Sequence, residues 1–276
     1  ESFLINKKEH PDSAFKPFLV DCKTGKQTPA STELLKKETP DAYSVSVREG
    51  DVYLNFPGRA SRKLTSTPDA EINPTLSPDN AWVAFTRKND LYTIHVPSGK
   101  EYRLTNDGTD LILNGYASWV YFEEILGRPT RYKSFWWSPN SKQLVFMRMD
   151  DTKVPLFPIY SEAGQHGYSE NTIYPKAGDA NPTVKIGFTS PEGGKLTWAD
   201  FNEKDDQYFG MPYWTPDGNT ALVQWMNRGQ DQLIIYAVDP STGIKKELYK
   251  EEQKTWIDLD DQGGRITFLP NKKGFI

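Results

Sequence analysis

A chain of 276 residues with 33 basic and 37 acidic side chains, net charge −4, has no basic surplus with which to neutralise a phosphate backbone, and this argues against general nucleic-acid binding. Its single cysteine, Cys22, rules out an internal disulfide, and no run of about 18 apolar residues is present to cross a bilayer as a helix. Aromatics at 13%, with 20 glycines and 20 prolines, describe many short strands and tight turns better than long helices.

In chain order, residues 19–27 alternate apolar and polar side chains around Thr24-Gly25, which predicts a hairpin. Residues 32–41 predict one helical turn within a polar connector. Residues 52–64 read as a second, degenerate hairpin through Pro57-Gly58, and residues 92–104 and 235–246 as further hairpins around Ser98-Gly99 and Thr242-Gly243. Between them lies a second pattern: an apolar residue, a Ser or Thr, then Pro followed by Asp or Asn, then an apolar strand. It occurs at Ser77-Pro78-Asp79, Ser138-Pro139-Asn140 and Thr215-Pro216-Asp217, and more weakly at Leu269-Pro270-Asn271. Proline fixes the first turn position and the Asx side chain closes the turn on its own backbone.

The four prolines are 61, 77 and 54 residues apart. A four-stranded blade needs roughly 40 to 50 residues, so each interval holds one blade and an insertion. The pattern therefore predicts an all-β fold of the β-propeller kind; a β-sandwich would require the agreement among the turns to be coincidental. The longest interval contains residues 151–185, whose Pro155, Phe157, Ile159, Tyr160 and Tyr174 are too apolar for a free linker and predict an ordered arm.

No Gly-x-Ser-x-Gly elbow, phosphate loop or dinucleotide fingerprint occurs. His10, His95 and His166 have no partners at metal-ligand spacing, so neither a metal nor a cofactor is expected. Attention falls on Glu123 and Glu124, adjacent acids between Trp119-Val120-Tyr121-Phe122 and Ile125-Leu126. Carboxylates so flanked are partly desolvated and need a cation or donors. They can grip one ligand only from a helical or turned backbone, which Gly127 could terminate. A bound ammonium would be shared between them; equally, they could pair internally with Arg128, Arg131 or Lys133. A glycosidase pair fits less well, because its acids must flank a bond from distinct environments.

Trp119-Val120-Tyr121-Phe122-Glu123-Glu124, then Phe135-Trp136-Trp137-Ser138-Pro139-Asn140, then Met149-Asp150-Asp151-Thr152-Lys153-Val154-Pro155-Leu156, then the stretch from Tyr174-Pro175-Lys176 to Val184-Lys185 resemble, in order, the N-terminal β-propeller of the dipeptidyl peptidase IV family. The collinear block covers residues 114–185; before 70 and after 250 the likeness is chiefly the blade pattern. The resemblance implies a propeller, eight-bladed in the family, that covers a C-terminal α/β-hydrolase domain with a Ser-Asp-His triad and releases N-terminal dipeptides, with Pro or Ala second. It implies that Glu123 and Glu124 bind the substrate's terminal ammonium, that the arm at 151–185 dimerises the full-length enzyme, and that the protein is periplasmic or at the cell surface.

On this reading residues 1–276 are a partial propeller without its hydrolase domain, inactive alone, with a free-amine peptide and its own hydrolase domain as partners. Three departures stand out. Phe122 occupies a position that is often a third glutamate, no arginine near residues 40–50 clearly matches the one that holds the substrate carbonyl, and the family's Phe-Arg pair has no counterpart after Trp256. The competing expectation is a non-enzymatic propeller that serves as a binding scaffold.

Overall fold

A computed structural model describes residues 2–7, 16–21, 23–29, 43–259, 266–269, 274 and 275. The helical turn expected at 32–41, His10, Cys22 and the turn at 270–273 lie outside the described residues. The chain divides into two compact units, Glu1–Ala42 and Tyr43–Ile276. In the first, β1 (Ser2–Lys7), β2 (Lys16–Asp21) and β3 (Gln27–Pro29) form an antiparallel sheet in chain order, with Gly25 at φ 67° in the β2–β3 hairpin.

The second unit is a series of antiparallel sheets. β4 (Ser44–Arg48), β5 (Asp51–Asn55) and β6 (Arg62–Lys63) make the first, and β7 (Glu71–Leu76), β8 (Trp82–Arg87), β9 (Asp90–His95) and β10 (Glu101–Arg103) the second, both as meanders. In the third, β11 (Ile112–Asn114) and β12 (Phe135–Trp137) both pair with β13 (Leu144–Asp150), and a hairpin of β14 (Leu156–Ser161) and β15 (Tyr168–Ile173) departs before β16 (Thr183–Thr189) and β17 (Thr197–Trp198) complete the sheet. The fourth repeats the scheme: β18 (Gln207–Phe209) and β19 (Tyr213–Trp214) on β20 (Ala221–Asn227), followed by β21 (Gln232–Val238) and β22 (Lys245–Glu252). Thr183, Val184 and Lys185 thus belong to the sheet, and the projecting hairpin is shorter than the 151–185 arm expected from sequence.

The central strands are not amphipathic. β8, β9, β13 and β20 are buried along nearly their whole length. Alternate side chains point to opposite faces of a strand, and here each face meets a different neighbouring sheet. Val83 and Phe85 pack with Val52 and Leu54 of the preceding sheet, whereas Trp82 and Ala84 pack with Phe135, Leu144 and Phe146 of the next. The other face of β13, Val145, Met147 and Met149, packs with Phe209, Ala221 and Val223 of the sheet after that. This is how consecutive propeller blades bury one another, and it explains why β8, with Trp82, Val83, Ala84 and Phe85 in succession, is apolar on both faces.

The Ser/Thr-Pro-Asx turns form as expected and also join the sheets. The hydroxyls of Ser77, Ser138 and Thr215 bond the side-chain oxygens of Asp79, Asn140 and Asp217 at 2.6, 2.8 and 2.6 Å. The backbone N–H of Asp79 donates to Ser141 Oγ at 3.0 Å, and Asn140 Nδ2 donates to the carbonyl of Asp217 at 3.0 Å. At the β21–β22 turn a sheet junction leaves room only for glycine. A Cβ on Gly243, where φ is +76°, would stand 2.0 Å from the carbonyl oxygen of Trp198. Gly243→Ala is therefore expected to cost about 2 to 4 kcal/mol, from left-handed backbone and overpacking together. Gly99→Ala, at φ +72° with nothing within 4 Å, should cost only the backbone share; the thermal unfolding midpoints of the two variants check the difference.

Candidate functional site

The first strand of the third sheet is interrupted, and the interruption carries the acidic pair. β11 ends with Asn114 opposite Arg148, and β12 begins with Phe135 opposite Phe146. Residues 115–134 therefore leave and re-enter the sheet with only Met147 of β13 between the two points. The neck is closed by Gly115 N–H to Met147 O at 2.9 Å, Met147 N–H to Ser134 O at 2.9 Å and Ser134 N–H to Gly115 O at 3.0 Å. At its root Asn114, fully buried, donates from Nδ2 to Asp90 Oδ1 at 3.2 Å and Asp107 Oδ1 at 2.9 Å. A long loop held at a rigid base is the usual setting for binding residues.

Within the loop, Phe122 N–H bonds Ser118 O at 2.9 Å and Leu126 N–H bonds Tyr121 O at 2.7 Å, so the backbone makes a wide π turn over Tyr121–Ile125. Gly127, at φ 78°, ends it. Tyr121, Ile125 and Leu126 point inward and are buried. The Tyr121 hydroxyl accepts the N–H of Phe209 in β18 at 3.2 Å, and burial pushes its phenol pKa upward. With the inward face so anchored, Glu123 and Glu124 project from the other side; neighbours on a helical turn diverge by roughly 100°, against 180° on a strand.

The two acids differ in surroundings. The Glu123 side chain is 19% exposed and forms an ion pair with Arg128, the guanidinium just beyond Gly127, whereas Glu124 is exposed. Of the three internal partners open to the pair, the fold selects Arg128. Arg131 and Lys133 form no ion pair with either acid. Phe122 holds the loop together by packing. Its ring stacks on Tyr132 at 3.8 Å, Tyr132 stacks on Tyr116 at 5.0 Å, and Trp119 meets Phe122 edge-on at 6.5 Å. Trp119 then contacts Tyr174 at 6.1 Å, which contacts Phe157 of β14 at 5.8 Å, so one aromatic chain links the acidic turn to the projecting hairpin. Arg48, the arginine between residues 40 and 50, is held within its own sheet by Asn55 Oδ1 at 2.9 Å and Ser61 Oγ at 3.0 Å.

Sequence reasoning did not single out Asp151. It follows β13, is 3% exposed, and its Oδ1 has no hydrogen-bond partner. Burial, and then the charge of Asp150, pushes its carboxyl up to about 7. It shares a cavity of about 270 Å3 with Ser118, Trp119 and Tyr132 of the loop and Thr172 of the hairpin, where Ser118 Oγ and Trp119 Nε1 are also without partners. Its signal in the sequence was an acid doublet directly after an apolar strand. His95 Nδ1 lies 2.8 Å from Ser98 Oγ in its own turn and His166 is exposed; among the described residues no group of three or more metal-ligating side chains gathers.

Residues 29–276 match the family described as the dipeptidyl peptidase IV (DPP IV) N-terminal region. The chain belongs to that family. Dipeptidyl peptidase 4 of Felis catus is 41% identical over 73% of this chain and 27% of its own length, and inactive dipeptidyl peptidase 10 of Rattus norvegicus is 30% identical over 63% of this chain and 22% of its own. The crystal structure of Porphyromonas gingivalis dipeptidyl peptidase 4 superposes with a TM-score of 0.70 at 23% identity, over 94% of this chain and 40% of that one. That likeness establishes the fold, the all-β propeller architecture of the family's N-terminal region. The chain spans between 22% and 30% of the length of the curated relatives it matches.

Proposed function

We propose that this chain is the substrate-anchoring propeller of a dipeptidyl peptidase, and that Glu123 and Glu124 hold the free N-terminal ammonium of a peptide. The observation that carries this reading is the π turn, which is fixed on one side by Tyr121, Ile125 and Leu126 and presents two adjacent carboxylates on the other. An ammonium has three N–H donors and relieves the repulsion between two acids. Arg128 balances Glu123 from an exposed position, its side chain 71% exposed, and such surface pairs are worth about 0.2 to 1 kcal/mol. An incoming ammonium can therefore share or displace it at small cost.

Anchoring the amine sets a ruler. With the first residue fixed at the turn, the bond after the second residue, Pro or Ala by family likeness, is the one delivered to the serine of a hydrolase domain, in the periplasm or at the cell surface. The β14–β15 hairpin, with Leu156, Tyr160 and Tyr168 exposed at 66%, 73% and 56%, is the surface through which two copies of the full-length enzyme would pair.

Peptides with a free amine are expected to bind at least tenfold more tightly than the same peptides N-acetylated, because acetylation removes the charge and two of the three N–H donors that the acids would share. Isothermal titration of matched pairs tests this, and equal affinities would overturn it. A second reading, a propeller that binds peptides in a protein without peptidase activity, is favoured by the relative named inactive. Hydrolysis of an Xaa-Pro amide by the whole protein decides between the two.

A further inference from the structure

The loop that bears the acidic pair returns to its sheet past a cationic cleft. Arg131 and Lys133 line a cavity of about 500 Å3 together with Asn73, Pro74, Trp136 and Met211. These neighbours come from the first strand, or the gap in the first strand, of three successive sheets: Asn73 from β7, Trp136 from β12 and Met211 from between β18 and β19. The first strand of a propeller blade faces the central channel. The cleft thus lies on the same edge of the sheets from which the acidic loop springs, within ten residues of Glu123 in the chain.

Its two cations are uncommitted. Arg128, nearest the acidic turn, is engaged by Glu123, but neither Arg131 nor Lys133 has an ion-pair partner among the described residues. Lys133 is half-buried, and burial alone holds its ammonium below its ordinary range, with no acid to offset it. The Phe135 ring, 5.9 Å from Nζ and so at the limit of a cation–π contact, compensates weakly. The strand of loop that carries both cations is fixed: Asn73 Nδ2 donates to Arg131 O at 2.9 Å, and Lys133 N–H to Thr130 O at 3.0 Å. Two cations on a fixed backbone, with Trp136 and Met211 as an apolar wall for methylenes, form a receptor for a carboxylate.

We propose that this cleft binds a carboxylate of the same peptide whose amine the acidic pair anchors, so that the loop reads a peptide at two points with opposite charge. The proposal rests on the amine-anchoring reading. The carboxylate comes from an acidic side chain downstream of the second residue or from the C-terminus of a short peptide, and the chemistry of recognition is common to both.

The test is isothermal titration of the whole protein with free-amine peptide amides carrying Glu or Gln at the third, fourth or fifth position, and with a tripeptide as its acid and its amide. One of these pairs is expected to differ about tenfold in favour of the carboxylate, which identifies its source, and the preference should weaken at high salt. Lys133→Met should reduce it to within twofold while the Gln peptides bind as before; Lys133→Arg should retain part of it. Preferences below twofold in the wild type, or a preference that survives Lys133→Met, overturn the proposal. If N-acetylation abolishes binding in that case, amine anchoring stands without the cleft. A carboxylate preference that is indifferent to N-acetylation would instead remove the amine anchor and keep the cleft, and failure of every peptide to bind overturns both.

Discussion

Glu124→Gln and Glu123→Gln, made separately in the whole protein, are each expected to lower kcat/KM for dipeptide amides by about tenfold or more. A hydrogen bond to a charged group is worth about 1.5 to 3 kcal/mol, with tenfold for each 1.4 kcal/mol. Glu124 is exposed in this chain, which sets its loss near the lower end of that range. Glu123 should lose at least as much, since its replacement also leaves the Arg128 guanidinium unbalanced beside the incoming ammonium. Arg128→Ala distinguishes an anchor from a structural ion pair. If Glu123 serves the ligand, removing its internal competitor raises affinity by no more than about fivefold, the worth of an exposed pair. If the pair exists only to fix the loop, Arg128→Ala and Glu123→Gln should lower the thermal midpoint together and leave the specificity for free amines intact. Should both Gln variants stay within twofold of wild type, the anchor assignment is wrong.

Which parts of this arrangement could be read from the sequence depends on whether the determining interactions are local. The Ser/Thr-Pro-Asx turns were legible because proline and the Asx side chain specify the turn within four residues, and Asp79, Asn140 and Asp217 close their turns in just that manner. The helical presentation of Glu123 and Glu124, and its end at Gly127, were legible for the same reason. The neck of the loop was not, because Gly115 and Ser134 are joined through Met147, a residue of another strand. The choice of Arg128 over Arg131 and Lys133 was open because all three follow the acids within ten residues, and the left-handed backbone of Arg131 and Tyr132, at φ 50° and 68°, is not specified by their residue types. The boundary between the arm and β16 was not legible, since the strand pairing of Val184 and Lys185 with Met149 and Arg148 is nonlocal. Burial on both faces of β8 and β13 defeats simple alternation for the same cause.

Asp151 provides the second large effect, on stability. Its carboxyl, pushed up to about 7, has an ordinary value of 3.8, so between those limits the folded protein holds a proton that the unfolded chain releases. Stability must then fall as pH rises from about 4 to about 7 and level off above, by up to about 4 kcal/mol for a shift of about three pKa units. The surroundings support the sign. Asp150 is adjacent, Asp110 lines the same cavity, and no lysine or arginine lines it. The carboxyls of Asp79 and Asp107, held below their ordinary value of 3.8, contribute the opposite slope, but only at lower pH. The difference between wild type and Asp151→Asn isolates the buried group, because Asn preserves the shape and carries no charge. Below about pH 4, where the carboxyl is protonated in both states, the two should unfold at similar temperatures, and at pH 8 the variant should unfold higher by roughly 5 °C or more. A pH dependence that persists unchanged in Asp151→Asn would assign the slope elsewhere. The same cavity is lined by Ser118, Trp119 and Tyr132 of the acidic loop and by Thr172 and Ile173 of the hairpin, so the variant reports on the charge held between the two.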